Sequence, residues 1–181
     1  MFNKICYFVI FLSLPFFIFS CVKKNIIQNT DWSFKEKGIQ VEVIADSLLN
    51  SFENKPHTLK LVIYQLSDIN TFNKQKKTEA GLEKLLLSEP FDPSITAVDH
   101  FFIQPGENSL FFLNRAENTK WVAFVAGYFN LVPIEVTEIL KIPLQIKKKG
   151  FFIRTRYEKI KELNLEIRLG ENRILEIKEK K

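Results

Sequence analysis

Two stretches constrain this chain more than anything else in it. Thr58 to Leu66 (TLKLVIYQL) and Trp121 to Phe129 (WVAFVAGYF) are β-type in composition and apolar at nearly every position. Successive side chains of a strand point to opposite faces. Leu59, Leu61 and Ile63 therefore line one face of the first stretch, and Val62, Tyr64 and Leu66 line the other. A strand without a polar side is a central strand that needs cover on both faces. The other strand signals have the period of two that marks half-buried strands. Ile39, Val41 and Val43 alternate with Gln40, Glu42 and Ile44. Val98 to Gln104 and Ser109 to Leu113 flank Pro105-Gly106-Glu107-Asn108, with Pro and Gly where turn geometry wants them. Leu163, Leu165, Ile167 and Leu169 alternate strictly, turn at Gly170-Glu171-Asn172 and lead into Arg173 to Ile177, the cleanest hairpin in the chain.

Weaker signals fill the rest. Thr137 to Ile146 reads as an edge because of Pro143, Phe151 to Arg154 as a short strand, and the stretch to Lys161 is ambiguous. Gly127 marks a bulge or a close backbone approach. Residues 67–90 break the pattern. Asp68 and Ser67 are N-cap types ahead of a short helix that turns Ile69 and Phe72 inward. Thr78 caps a second helix with Leu82, Leu85 and Leu86 at i, i+3 and i+4, ended by Pro90. This insertion is placed to cover the outer face of the 58–66 strand. The expected fold class is all-β, a two-sheet β-sandwich of about eight strands with one short helical insertion.

A chain of 181 residues with 46% apolar side chains is one domain and not a disordered one. Six of its eighteen Phe lie in the first nineteen residues, which read as an address. Lys4 precedes a twelve-residue apolar run, Phe8 to Phe19, and the small residue Ser20. That is a secretory signal. A helix of this length rises roughly 18 Å, short of the ~30 Å hydrocarbon core, and Pro15 kinks it. Ile18-Phe19-Ser20-Cys21 resembles a bacterial lipobox, with Phe19 where a small residue is usual. The resemblance implies cleavage before Cys21 and a covalent lipid on it. Val22 next to that cysteine implies the outer membrane, periplasmic face. The alternative is an ordinary signal peptide with Cys21 a bystander. Against it, no cysteine follows Cys21, so the exported domain holds no thiol to misoxidise. The expected organisation is a signal peptide over 1–20, a lipidated N-terminus and tether over 21–38, and the sandwich over 39–181.

Loss of Lys4 lowers the net charge of +5 by one, and the remaining excess sits partly in Lys147-Lys148-Lys149 and the last residues. Such runs are usually solvated faces, and nucleic acid is not an expected partner of an exported protein. The chain has no HExxH, CxxC, GxSxG or Gly-rich phosphate loop. Its two histidines, His57 and His100, offer too few ligands for zinc, so no metal is expected. Asp68, Asp92 and Asp99 each lie beside a turn or cap signal and Asp46-Ser47 reads as a turn, where Asp is expected to serve the backbone. No enzyme activity, small-molecule substrate or cofactor beyond the lipid is expected.

Binding remains. The connection Asp46 to His57 (DSLLNSFENKPH) is long for a hairpin. Leu48 and Leu49 are expected to tuck inward, whereas Phe52 among Glu53, Asn54 and Lys55 looks like an exposed tip and a contact anchor.

The order of segments resembles the TssJ family (VasD/SciN-like), the outer-membrane lipoproteins of type VI secretion. The resemblance is carried by the lipobox cysteine, Leu49-Asn50, Ile63-Tyr64-Gln65-Leu66, Phe72, Leu82 to Leu87, Ile103-Gln104-Pro105-Gly106 and Val125-Ala126-Gly127-Tyr128. It covers roughly residues 39–133 and the signal. It implies a transthyretin-like sandwich and a role in the membrane complex, binding the periplasmic C-terminal region of the inner-membrane protein TssM. It also implies that the loop between the first two strands makes contact: Asn50, Ser51, Phe52, Glu53, Asn54, Lys55 and Pro56. The alternative is another envelope-binding lipoprotein, for a glycan or a protein, with Trp32, Trp121 and Tyr128 as the available sugar platforms.

Overall fold

The structure is a computed structural model, and it describes residues 27–28, 30–149 and 155–180. The signal peptide, the lipobox with Cys21 and the short strand expected at Phe151 to Arg154 lie outside the described residues. In chain order the elements are β1 (Ile27–Gln28), β2 (Lys35–Ala45), β3 (Leu59–Leu66), α1 (Asn70–Gln75), α2 (Glu79–Leu86), β4 (Ile95–Ile103), β5 (Asn108–Arg115), β6 (Trp121–Ala126), α3 (Pro133–Val136), β7 (Thr137–Lys141), β8 (Leu144–Lys149), β9 (Thr155–Ile160), β10 (Leu163–Leu169) and β11 (Ile174–Glu179).

The two apolar stretches do take the central places that their composition demands. One sheet runs β4-β3-β6-β7, with β3 and β6 inside; the other runs β11-β10-β2-β5. Leu61 and Ile63 of β3 pair with Ala126 and Phe124 of β6, and all four are buried. From the second sheet, Ile39, Val41, Val43 and Ala45 of β2 lie in register with Leu163, Leu165, Ile167 and Leu169 of the parallel strand β10. These eight are also buried, and each fully buried Leu, Ile or Val contributes about 1.5–3 kcal/mol. Gln65 is the polar member of this layer. It donates to Asn114 O (2.8 Å) and accepts from Ala116 N (2.8 Å), which ties β3 to the end of β5 in the other sheet.

The outer face of β3 is covered as expected by the helical insertion. Thr78 accepts from Gly81 N (3.1 Å) at the start of α2, and Asp68 Oδ1 accepts from Asn70 N (2.8 Å) at the start of α1. Leu82, Leu85 and Phe72 are buried, and Tyr64 donates its hydroxyl to Leu85 O. That burial, with the Glu89 charge nearby, pushes the Tyr64 phenol up to about 12. Gly127 meets the expectation of a close approach: its N–H bonds Lys60 O at 2.8 Å, and a Cβ there would lie 3.2 Å from Leu86 Cδ2.

Four features differ from the sequence expectation. The strands that flank the 104–107 turn go to different sheets, β4 beside β3 and β5 beside β2. Gly106 at φ +72° supplies the turn, so the chain crosses from one layer to the other there. The 121–129 stretch leaves the sheet at Ala126, three residues early. The 137–146 stretch breaks at Pro143, which has no N–H to continue a ladder, into β7 on the sheet edge and β8 in a separate small sheet, β1-β9-β8. Leu48, expected to tuck inward, is 47% exposed, while Leu49 is fully buried. Asp46 Oδ1 accepts from Leu48 N (2.8 Å), and in that tight turn the two neighbouring leucines part, one to solvent and one to the core.

Candidate partner-binding site

The strand directions divide the domain into two poles. β2, β4 and β10 end, and β3 and β5 begin, at one pole. The connections 46–57, 104–107, 127–136 and 170–173 gather there. Asp46 N bonds Leu169 O (2.8 Å), Ala45 N bonds Glu107 O (2.9 Å) and Ser51 N bonds Glu171 O (3.1 Å), so the loops support one another. The N-terminal segment joins at the other pole, at the start of β2. Eleven residues of β2 separate the two, about 35 Å at strand rise.

Within the loop pole, residues 52–55 form a two-residue hairpin turn. Phe52 and Lys55 exchange N–H···O bonds of 2.9 and 3.0 Å, with Glu53 and Asn54 at φ +49° and +57°. Positive φ at both central positions is the type I′ geometry, which Asn tolerates better than most residues. The turn lifts Phe52 into solvent at 51% exposure, with Glu53, Asn54, Lys55 and Pro56 exposed around it.

Asn50 does something else. It is 5% exposed, sits at φ +50° and spends its amide inside: Nδ2 donates to Thr58 O (3.1 Å) and Oδ1 accepts from Phe129 N (2.9 Å). Asn50 is the brace that joins the loop to the 127–134 segment, and its side chain is spent inside the domain instead of on the surface where the sequence reading put it. Ser51 is half-buried against the 170–173 turn.

Phe129 is the residue that sequence reasoning missed. Read as the end of a core strand, it is 56% exposed, and its ring lies 4.9 Å from that of Phe52 and edge-on to His57 at 5.1 Å. Its neighbour Tyr128 is turned inward. The Tyr128 hydroxyl donates to Arg173 O at 2.8 Å, with Gly170 O at 3.2 Å. Burial, aided by the Asp46 carboxylate, raises that phenol far above its ordinary value, so it remains a donor. The only sequence signal was Gly127, where the strand ends. Leu48, Ile134 (83% exposed) and Leu175 are further exposed apolar residues on the same pole. The result is an exposed aromatic pair on a pole that also carries these apolar residues and the charged Glu53, Lys55, Glu135 and Arg173; Arg173 and Glu135 approach to 4.0 Å. Central aromatics ringed by polar groups are the usual composition of a protein-binding hot spot.

The other sequence candidates do not converge. His57 is at the loop pole, whereas His100 lies on β4 against Phe102. Asp46, Asp68 and Asp92 each accept from a backbone N–H two residues on. Among the described residues no three His, Cys, Asp or Glu are grouped to hold a metal ion. The aromatic sugar platforms fare no better. Tyr128 is buried, and Trp32 and Trp121 are half-buried with Arg115 and Lys141 lying 5.9 and 5.5 Å from their ring centres.

The arrangement has relatives. The family model of the type VI secretion lipoproteins (SciN, VasD, EvfM, TssJ) matches residues 37–172. No curated protein sequence matches the chain. Among solved structures, the type VI lipoprotein TssJ1 from Pseudomonas aeruginosa is similar at a TM-score of 0.58 and 20% identity, over 82% of this chain and 97% of that one. Serratia marcescens Lip, a membrane-bound component of the type VI secretion system, is similar at 0.54 and 17%, over 82% and 98%. A chain of the structure described as the TssM C-terminal domain from EAEC is similar at 0.54 and 15%, over 75% and 94%. At these identities the structural likenesses establish the fold, and the family match establishes the lineage, one of structural, non-catalytic lipoproteins. With its two-sheet sandwich and helical cover, the chain belongs to the type VI secretion lipoprotein family.

Proposed function

We propose that this lipoprotein anchors the type VI membrane complex to the periplasmic face of the outer membrane through a lipid on Cys21, and binds the periplasmic C-terminal region of a TssM-like inner-membrane protein. The observation that carries the reading is the polarity of the domain. The chain leading from Cys21 enters at one pole, and the exposed Phe52–Phe129 pair sits at the other, about 35 Å of strand away. A molecule so built holds its binding surface out from the membrane. The family supports the reading, as does the likeness to chains of structures described as a TssM C-terminal domain and a type VI membrane complex (TM-scores 0.54 and 0.51). Stable anchoring needs more than one acyl signal, which a mature bacterial lipoprotein carries, and repeated copies in an assembly add avidity.

Within the expected loop, Phe52, Glu53, Asn54, Lys55 and Pro56 present the surface; Asn50 and Ser51 hold it in place. The test is calorimetric titration of the chain from Cys21 onward, made without lipid, with the periplasmic C-terminal region of the partner. Binding is expected to weaken by over ~1 kcal/mol for Phe52→Ala and for Phe129→Ala, with the fold intact. Unchanged affinity in both moves the interface elsewhere; no binding to a folded partner removes the role.

A further inference from the structure

We propose that the paired strands β8 and β9 carry a second membrane contact, in which Lys147, Lys148 and Lys149 rest on anionic lipid headgroups of the same leaflet that holds the acyl chains. The inference rests on the lipid-anchor reading of Cys21. β7 runs away from the loop pole, so β8 starts at the tether pole, and Lys161 N bonds Pro143 O (2.9 Å) to close the base of the strand pair. From there β8 and β9, with β1, form a small sheet of their own. Its far end carries Lys147, Lys148 and Lys149 on β8, with Arg156 opposite Lys148 on β9. Along the two strands five basic residues face a single acid, Glu158, whose carboxylate accepts from Thr30.

Charge alone would leave a solvated face. The N-terminal register supplies the second observation. β1 pairs with β9 in parallel, Ile27 opposite Arg156 and Gln28 opposite Tyr157. From Gln28 back to Ile27 the chain therefore points along β9 towards its Thr155 end, beside Lys148 and Lys149. Cys21 lies six residues before Ile27, a reach of at most about 20 Å. A lipid on that cysteine brings the bilayer surface within the same distance of Lys147–Lys149. A tether shorter than its full reach sets the headgroups against these lysines. Juxtamembrane lysines gain about fivefold each in partitioning to an anionic surface. Two attachments, one covalent and one electrostatic, would fix the tilt of the domain and aim the Phe52–Phe129 pole away from the membrane.

The test uses the chain from Cys21 onward without lipid, pelleted with vesicles of phosphatidylcholine alone or mixed with phosphatidylglycerol. The wild type is expected to pellet with the anionic vesicles only, and to be released by salt. Lys147→Gln with Lys148→Gln and Lys149→Gln is expected to lower that binding by about tenfold or more. The same charge change in the helical insertion, Lys74→Gln with Lys76→Gln and Lys77→Gln, is expected to leave most of it. Absence of any preference for anionic vesicles overturns the proposal, as does equal loss in the two triple variants. Salt-sensitive pelleting with isolated peptidoglycan but not with vesicles also overturns it, in favour of an anionic polymer. Because no lipid is attached in this assay, its failure leaves the Cys21 anchor standing; that is tested by fractionation of Cys21→Ser.

Discussion

Replacing Asn50 by Ala tests whether the candidate site is held by one buried amide. The side chain is 5% exposed and makes two hydrogen bonds, to Thr58 O (3.1 Å) and from Phe129 N (2.9 Å). Alanine removes both and strands a carbonyl and an N–H. A buried group left without its partner costs about 1–3 kcal/mol, and water entering beside the exposed Phe129 recovers part of that. The φ of +50° adds a smaller cost, because Asn tolerates the left-handed region better than Ala. The sum is about 3 kcal/mol, which for a domain of this size lowers Tm by about 6–12 °C. Urea unfolding of the chain from Cys21 onward, read by Trp fluorescence, is the assay, with an unchanged m-value expected. Asn50→Gly restores the backbone freedom but not the bonds, so it is expected to recover only a minor part. A loss below ~0.5 kcal/mol in Asn50→Ala would refute the brace. So would Asn50→Gly matching the wild type, since strain and not bonding would then be the whole effect.

Gly81→Ala places a Cβ 1.9 Å from Gln75 O, a backbone atom that cannot give without moving α1 from α2, so a loss of about 2 kcal/mol or more is expected in the same urea assay. Asp99 is half-buried on the edge strand β4, opposite Ile63, and burial raises its carboxyl above the ordinary value of 3.8, the charge of His100 opposing only in part. The folded state then binds more protons than the unfolded one just above that value. Stability contributed by Asp99 is therefore present at low pH and lost as pH rises through its folded pKa. Asp99→Asn is expected to flatten the stability–pH curve there and to be the more stable chain at pH 7; a curve that parallels the wild type refutes this. Cys21→Ser is expected to shift the protein from the membrane to the soluble periplasmic fraction, and normal membrane fractionation would end the lipid assignment.

Much of the scaffold was legible because it is written in local periodicity. β10 and β11 alternate with a turn between them and pair as a hairpin, with Ile167 opposite Ile177. Thr78, three residues before Gly81, announces a capped helix and caps one. The absence of a polar face on β3 demanded a second layer of cover, and α2 supplies it with Leu82 and Leu85. Phe52 reads as an exposed tip among polar neighbours and is one. The remainder concerns which distant segments meet. No local pattern says that β10 pairs in parallel with β2, more than a hundred residues away, or that β4 and β5 separate into different sheets. The stretches 144–149 and 155–160 alternate too weakly to place, since the small sheet of β8 and β9 contributes little to the main core.

The sequence by itself determined the class of fold, the helical cover, the exposed loop tip and the lipoprotein-like N-terminus, because each depends on residues within a turn or two of one another. Tertiary structure alone decided what makes the loop a candidate site. Phe129 turns outward beyond Ala126, where the strand ends and Gly127 lets the backbone lie close to Lys60 and Leu86, and the N–H of Phe129 is then held by Asn50 from another loop. Side-chain alternation assigns a face only while a strand continues. Where strands stop is set by what packs against their ends, and that information is spread across the whole chain.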